Sequence, residues 1–231
     1  MKKISFLLII GLLLFTCKNQ TTTVESSELQ FKSISDAVLE TAVIYEANIR
    51  QYSESGTFTD FTKDIPNLKQ LGVKVIWLMP IFPISETKRK ATGGEFASLI
   101  EDETEREKML GSYYAVTDFT KVNPEFGTLE DFRTLVKTAH ENDIYVILDW
   151  VPNHTGWDHT WLKTNREYYT QNEAGDVIDP INPDTGESWG WQDVADLNYD
   201  NKEMRAEMIE DMLFWITQEN IDGFRCDVAS A

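Results

Sequence analysis

From residue 42 onward the chain alternates short apolar runs with amphipathic stretches, the order expected of successive βα units. Residues 42–49 predict a first strand and residues 61–71 a helix closed by Gly72. Residues 73–78, VKVIWL, predict a second strand, after which Pro80 and Pro83 end regular structure. A charged excursion follows, with Lys88, Arg89 and Lys90 and then Glu101, Asp102, Glu103, Glu105 and Glu107; such a run reads as solvated loop or surface helix and is assigned no chemistry. Thr128, with Asp131 three residues on, forms a capping box, and Leu129, Phe132, Leu135, Val136 and Ala139 fall on one face of the helix it starts. Residues 144–149 predict a third strand. The stretch 150–200, rich in Trp, Asp, Asn and Gly, is too long for a plain connection and predicts a small subdomain over a site. A helix over 201–219 follows, with Asp200 as cap, Glu203 at the third position, and Met204, Met208, Met212, Trp215 and Ile216 facing inward. Residues 222–227 predict a fourth strand.

The first forty residues follow no such pattern. Lys2 and Lys3 precede the apolar run 4–15, too short to span a bilayer and of the length of a signal-peptide core. Leu14, Phe15, Thr16 and Cys17 resemble a bacterial lipoprotein cleavage site, although Thr16 stands where a small Gly, Ala or Ser is usual. The expectation is a signal peptide over 1–16, a lipid on Cys17, a polar tether over 17–40, and an exported, membrane-anchored protein; an ordinary secretory signal is the competing reading. With Cys17 lipidated, Cys226 has no partner and no disulfide is expected.

Charge narrows the partners. With 39 acidic against 21 basic residues the chain carries a formal charge of −18, which argues against nucleic acid, whose binding draws on Lys and Arg. At 231 residues it can bury a sizeable core. A complete eight-unit barrel needs about 250, so this length suits fewer units.

Candidate chemistry collects where strands end. Alternation along the fourth strand puts Arg225 and Asp227 on one face and Phe224 and Cys226 on the other. A guanidinium beside a carboxylate keeps it ionised, the state a nucleophile needs, although an ordinary buried ion pair has the same pattern. Asp149 shares its face with Ile147 and Tyr145 and so points inward, placed to hold Arg225 or a sugar hydroxyl. Asn153 and His154 follow in the loop that would rim a pocket. Trp157, Trp161, Trp189 and Trp191 give the loop aromatic faces that can line a site or pack inside.

DWVPNH at 149–154 and GFRCDVA at 223–229 are similar to two motif regions of the alpha-amylase superfamily, glycoside hydrolase family 13. VIWLMPI, GSYYAVTDFTKVNPEFGTLEDF and VADLNYDN agree in order and spacing, so the resemblance runs from about residue 43 to the last. It implies an α/β fold, a TIM (β/α)8 barrel present as roughly its first four units over 41–231. It also implies a retaining alpha-glycosidase acting on alpha-glucans such as starch and maltooligosaccharides. Asp227 would be the nucleophile and Arg225 its orienting partner. His154 and Tyr114 would hold the sugar on one side of the cleaved bond, with Tyr113 the competing assignment, and Asp149 would support the site. The family's general acid, a Glu on a fifth strand, and its second Asp, after a seventh, would fall past Ala231, so the chain is expected to lack activity alone. Some members hold calcium at positions matching Asn153 and Asp196; no cofactor is otherwise required. Ser230 and Ala231 stand where many calcium-dependent amylases have Lys-His. A non-catalytic carbohydrate-binding protein and a trehalose-forming transglycosylase are the alternatives.

Overall fold

A computed structural model of the chain describes residues 34–229. The expected signal peptide, Cys17 and the tether up to residue 33 fall outside the described residues. Residues 36–40 of that expected tether, together with Thr41, are helical, α1 (Asp36–Thr41), with no buried side chain.

β1 (Val43–Ala47) stops short of residue 49, where α2 (Ile49–Tyr52) begins. α3 (Phe58–Gln70) starts before residue 61 because Thr57 caps it, its hydroxyl accepting the Asp60 N–H at 3.4 Å. That early start turns Phe58 into the core, where it is 0 % exposed. β2 (Val73–Leu78) follows, and the charged excursion contains a 3-10 turn at Ala97–Leu99 and a short α-helix, α4 (Glu103–Glu107). α5 (Leu129–Glu141) opens on the reciprocal Thr128–Asp131 capping box and leads into β3 (Tyr145–Trp150).

The stretch after β3 carries structure of its own. β4 (His154–Gly156) and β5 (Val194–Asp196) form an antiparallel ladder, with α6 (Thr160–Thr164) between them in sequence. α7 (Lys202–Thr217) is capped by Asn201, whose Oδ1 accepts the Met204 N–H at 2.9 Å, and not by Asp200. Asp200 sits one residue too early to reach that donor. β6 (Gly223–Cys226) closes the described elements.

The main sheet is parallel in the order β1-β2-β3-β6. Its helix-facing side is the core: Ile76, Leu78, Val146, Leu148 and Trp150 are all 0 % exposed. Phe58, Phe132 and Trp215 continue that core in edge-to-face contacts, with ring centroids 5.7 Å and 5.3 Å apart. Each such aromatic stabilises by roughly 2–3 kcal/mol through area removed from water. Trp215 also donates its ring N–H to the Phe119 carbonyl at 2.6 Å, which fixes α7 to the loop before α5. The opposite face of the sheet, which in a barrel is the interior, carries Trp77, Tyr145, Ile147 and Arg225, all partly buried.

The excursion is tied to the β4–β5 region by Asp158. Its carboxylate accepts Ser85 Oγ at 2.9 Å, the Glu86 and Thr87 N–H groups at 2.7 Å each, and the Thr87 hydroxyl. Burial raises its pKa, but these donors together outweigh burial and hold the carboxyl below its ordinary range.

Candidate active site

Parallel register decides which groups meet. Asp149 pairs with Arg225 and Trp77 with Ile147, so side chains of β2, β3 and β6 converge on the interior face at the carboxyl ends of their strands. The ladder continues one residue past β6, the Asp227 N–H donating to Trp150 O at 2.8 Å. That bond carries the inward alternation on to Asp227.

Arg225 is the hinge of the site. Its Nη1 donates to Asp227 Oδ1 at 2.6 Å and to both Asp149 oxygens at 3.1 and 3.2 Å. Its guanidinium carbon also lies 4.7 Å from the centre of the Trp77 ring. Burial alone would lower the Arg225 pKa, but the two carboxylates outweigh it and hold the pKa above its ordinary value. Asp149 has no exposed surface. Burial pushes its pKa up to about 6; Arg225 and the Trp77 ring N–H at 3.1 Å oppose that rise, while the Asp227 charge adds to it. Burial is the main cause of that rise, and one cation shared by two carboxylates leaves a net negative charge that adds to it.

Tyr114, His154 and Asp227 line one cavity of about 230 Å³, together with Lys90, Ser112, Trp191 and Asp193. Tyr114 reaches Asp149 through its hydroxyl at 3.4 Å, and burial with the two carboxylate charges pushes its pKa up to about 12. Tyr113 turns away and bonds Asn48 at 2.9 Å. His154 is 5 % exposed; burial lowers its pKa to about 4 against the pull of Asp193 and Asp227, so it is neutral near pH 7. With Asn153 Oδ1 at 2.9 Å as acceptor, Nδ1 carries the proton and Nε2 is left to accept one. Val228, also in the cavity lining, takes φ 46, a strained value for a β-branched residue, directly after Asp227.

Asp196 pairs with His154 across the β4–β5 ladder and Asn153 directly precedes that pair, so the two candidate calcium ligands lie in one region. Calcium takes about six to eight oxygens. Asn153 Oδ1 is engaged by His154, and Asp196, its carboxyl raised by burial, has the Thr170 hydroxyl as partner. No group of three or more His, Cys, Asp or Glu side chains placed to hold a metal occurs among the described residues.

The four tryptophans divide. Trp161 is buried against Phe119 and Tyr168. Trp157 donates to the Gln192 carbonyl at 3.0 Å. Trp191 lines the cavity edge-on to His154, and Trp189, 43 % exposed, stacks on Trp191 at 5.8 Å.

Sequence reading passed over Trp77, Lys90 and Asp193. Trp77 was findable, since strand alternation puts it inward beside Val75. Lys90 and Asp193 had no periodic signal.

Acidic and basic groups held together at the carboxyl ends of parallel strands are the arrangement of (β/α)-barrel enzymes. The profile of the alpha-amylase catalytic domain matches residues 32–231, and the chain belongs to that family. An alpha-amylase of Dictyoglomus thermophilum is 30 % identical over 206 residues, 81 % of this chain and 36 % of that protein. A trehalose synthase of Pimelobacter is 30 % identical over 219 residues, 81 % of this chain and 34 % of that one. The crystal structure of an alpha-amylase from Lactobacillus plantarum superposes with a TM-score of 0.68 at 36 % identity, covering 81 % of this chain and 38 % of its own. The chain thus spans little more than a third of the length of these relatives.

Proposed function

We propose that the whole protein is a retaining alpha-glycosidase acting on alpha-glucans such as starch and maltooligosaccharides. The observation that carries this reading is Arg225 Nη1 set between Asp149 and Asp227 at the rim of a cavity shared with Tyr114 and His154. Relatives named as alpha-amylases and oligo-1,6-glucosidases, and an alpha-amylase structure from Geobacillus thermoleovorans complexed with acarbose, support it.

In this reading Asp227, oriented by Arg225, attacks the anomeric carbon. A bond forms from its oxygen to that carbon, and the glycosidic oxygen leaves with a proton from a general acid. Water then releases the sugar, the acid now acting as base. Such a pair stands about 5–5.5 Å apart. Among the described residues the carboxylates lining the cavity are Asp193 and Asp227, and Asp193 is held by Lys90 at 2.9 Å. The acid is therefore assigned to the fifth-strand Glu that the family resemblance implies. Tyr114 offers a ring face to the sugar, and neutral His154 accepts a hydrogen bond at Nε2 without adding charge. Asp149 acts through Arg225.

Trehalose synthases among the relatives favour transglycosylation as the second reading, which differs in whether water or a sugar takes the second step. Asp227→Asn in the whole enzyme should cut turnover on maltooligosaccharides by about 10³-fold or more with the fold intact. Near-normal turnover would rule out the covalent role.

The amino terminus belongs to the same proposal. Cys17 is read as a lipidated first residue that anchors an exported enzyme to a membrane. Mass spectrometry of the mature protein should show acyl mass on Cys17, and an unmodified terminus elsewhere would end that reading.

A further inference from the structure

The basic run Lys88, Arg89, Lys90 takes no part in the proposed reaction, yet each of its side chains has a partner in the structure. Its side chains divide between two sides. Arg89 turns back on its own segment, donating to the carbonyls of Ser85 at 3.0 Å, Met109 at 3.3 Å and Ile84 at 3.3 Å, and pairing with Glu86. The two lysines reach across to the other loop. Lys88 Nζ sits 3.5 Å from the centre of the Trp157 ring, and that ring donates to the Gln192 carbonyl. Lys90 Nζ pairs with Asp193 at 2.9 Å.

Lys90 thus holds Asp193 directly, and Lys88 contacts the Trp157 ring that bonds its neighbour Gln192. Trp191, just before them, faces His154 inside the cavity, and Lys90 and Asp193 line the same cavity as Asp227. Asp193 is 4 % exposed. A carboxylate so buried is costly without a counter-charge, so removing the ammonium drives it to swing out to water. That movement carries Trp191 with it.

We propose that Lys90 is a positioning residue of this site: paired with Asp193, it holds residues 191–193 in place as the wall of the cavity that contains Asp227. Only the identity of the ligand rests on the alpha-glucan reading; the latch itself does not.

The test uses the full 231-residue chain in two arms. In the first, without sugar, amide exchange is followed in peptides covering 188–196 and 129–141. Lys90→Met should speed exchange in 188–196 about tenfold while α5 keeps its protection, which reports an intact fold. Lys90→Arg should stay close to wild type, and Asp193→Asn should loosen the same peptide. Unchanged exchange in Lys90→Met, or an Arg variant as loose as the Met variant, overturns the proposal. In the second arm, tryptophan fluorescence follows maltotriose binding, and Lys90→Met should weaken it about fivefold with rescue by Lys90→Arg. A wild-type chain that does not respond to maltotriose counts against the glucan reading, while the exchange arm still decides the role of Lys90.

Discussion

Asp149 and Asp211 are both carboxylates whose pKa is raised mainly by burial, yet they differ in what the cost achieves. Asp149, at about 6, anchors Arg225 and through it Asp227. Asp211 is pushed up to about 7 by burial and then by the charges of Glu207 and Asp118, and it holds nothing in the site. For either group the folded pKa lies above the unfolded one, so the folded state binds the extra proton. Its contribution to stability is greatest below about pH 4 and is lost as pH rises through the folded pKa. Asp211→Asn should therefore raise the unfolding free energy by roughly 1–2 kcal/mol at pH 8, after allowance for solvent screening, and change it little at pH 4. Urea titrations at the two pH values measure this, and an equal effect at both would contradict it. His154 and His159 act in the opposite sense. Burial lowers both, to about 4 and about 3, so their contribution is complete above about pH 6.5 and falls away as pH drops toward those values.

At the scale of elements, the site depends on how closely β4 approaches the excursion. Gly156 donates its N–H to Val116 O at 2.7 Å, and a Cβ there would lie 2.6 Å from both the Ala115 carbonyl oxygen and Ser85 Cβ. The first of these is backbone and cannot step aside. Gly156→Ala should cost roughly 2–4 kcal/mol and loosen the Asp158 bonds nearby. Thr128→Ala, which removes the Thr128 half of a capping box on an exposed helix end, should cost only about 1 kcal/mol. Thermal unfolding of the two variants side by side tests the ordering. A Gly156 variant as stable as wild type would show that the close approach is dispensable.

For the whole molecule, exposed apolar surface and net charge oppose each other. Among the described residues β1 and β6 each pair on one side only, and Val43 and Ile44 of β1 are 51 % and 57 % exposed. Unpaired strand edges with apolar side chains favour association. The charge of −18 opposes it, most strongly at low ionic strength, where the Debye length is about 30 Å at 0.01 M salt against about 10 Å at 0.1 M. Residues 36–231 should accordingly sediment as larger species as salt is raised, with increased binding of a hydrophobic dye. A monodisperse monomer across that range would mean that the edges are covered.

The sequence by itself determined the four strands of the parallel sheet, their inward faces and hence the meeting of Arg225, Asp227 and Asp149, because side-chain alternation is a local property with a period of two. It also marked the capping box of α5 and the buried face of α7, for the same reason at the helical period. Element starts were less legible at Thr57 and Asn201, where one side-chain hydrogen bond to a backbone N–H decides between neighbouring candidates. Tertiary structure alone decided that Lys90 meets Asp193, that Trp191 rather than Trp161 faces the cavity, and that Tyr114 rather than Tyr113 reaches Asp149. Each of these depends on an irregular segment meeting another part of the chain across a long sequence separation. Such segments are shaped by individual bonds, such as those of Asp158 and Arg89, and have no repeating pattern from which the contact can be read.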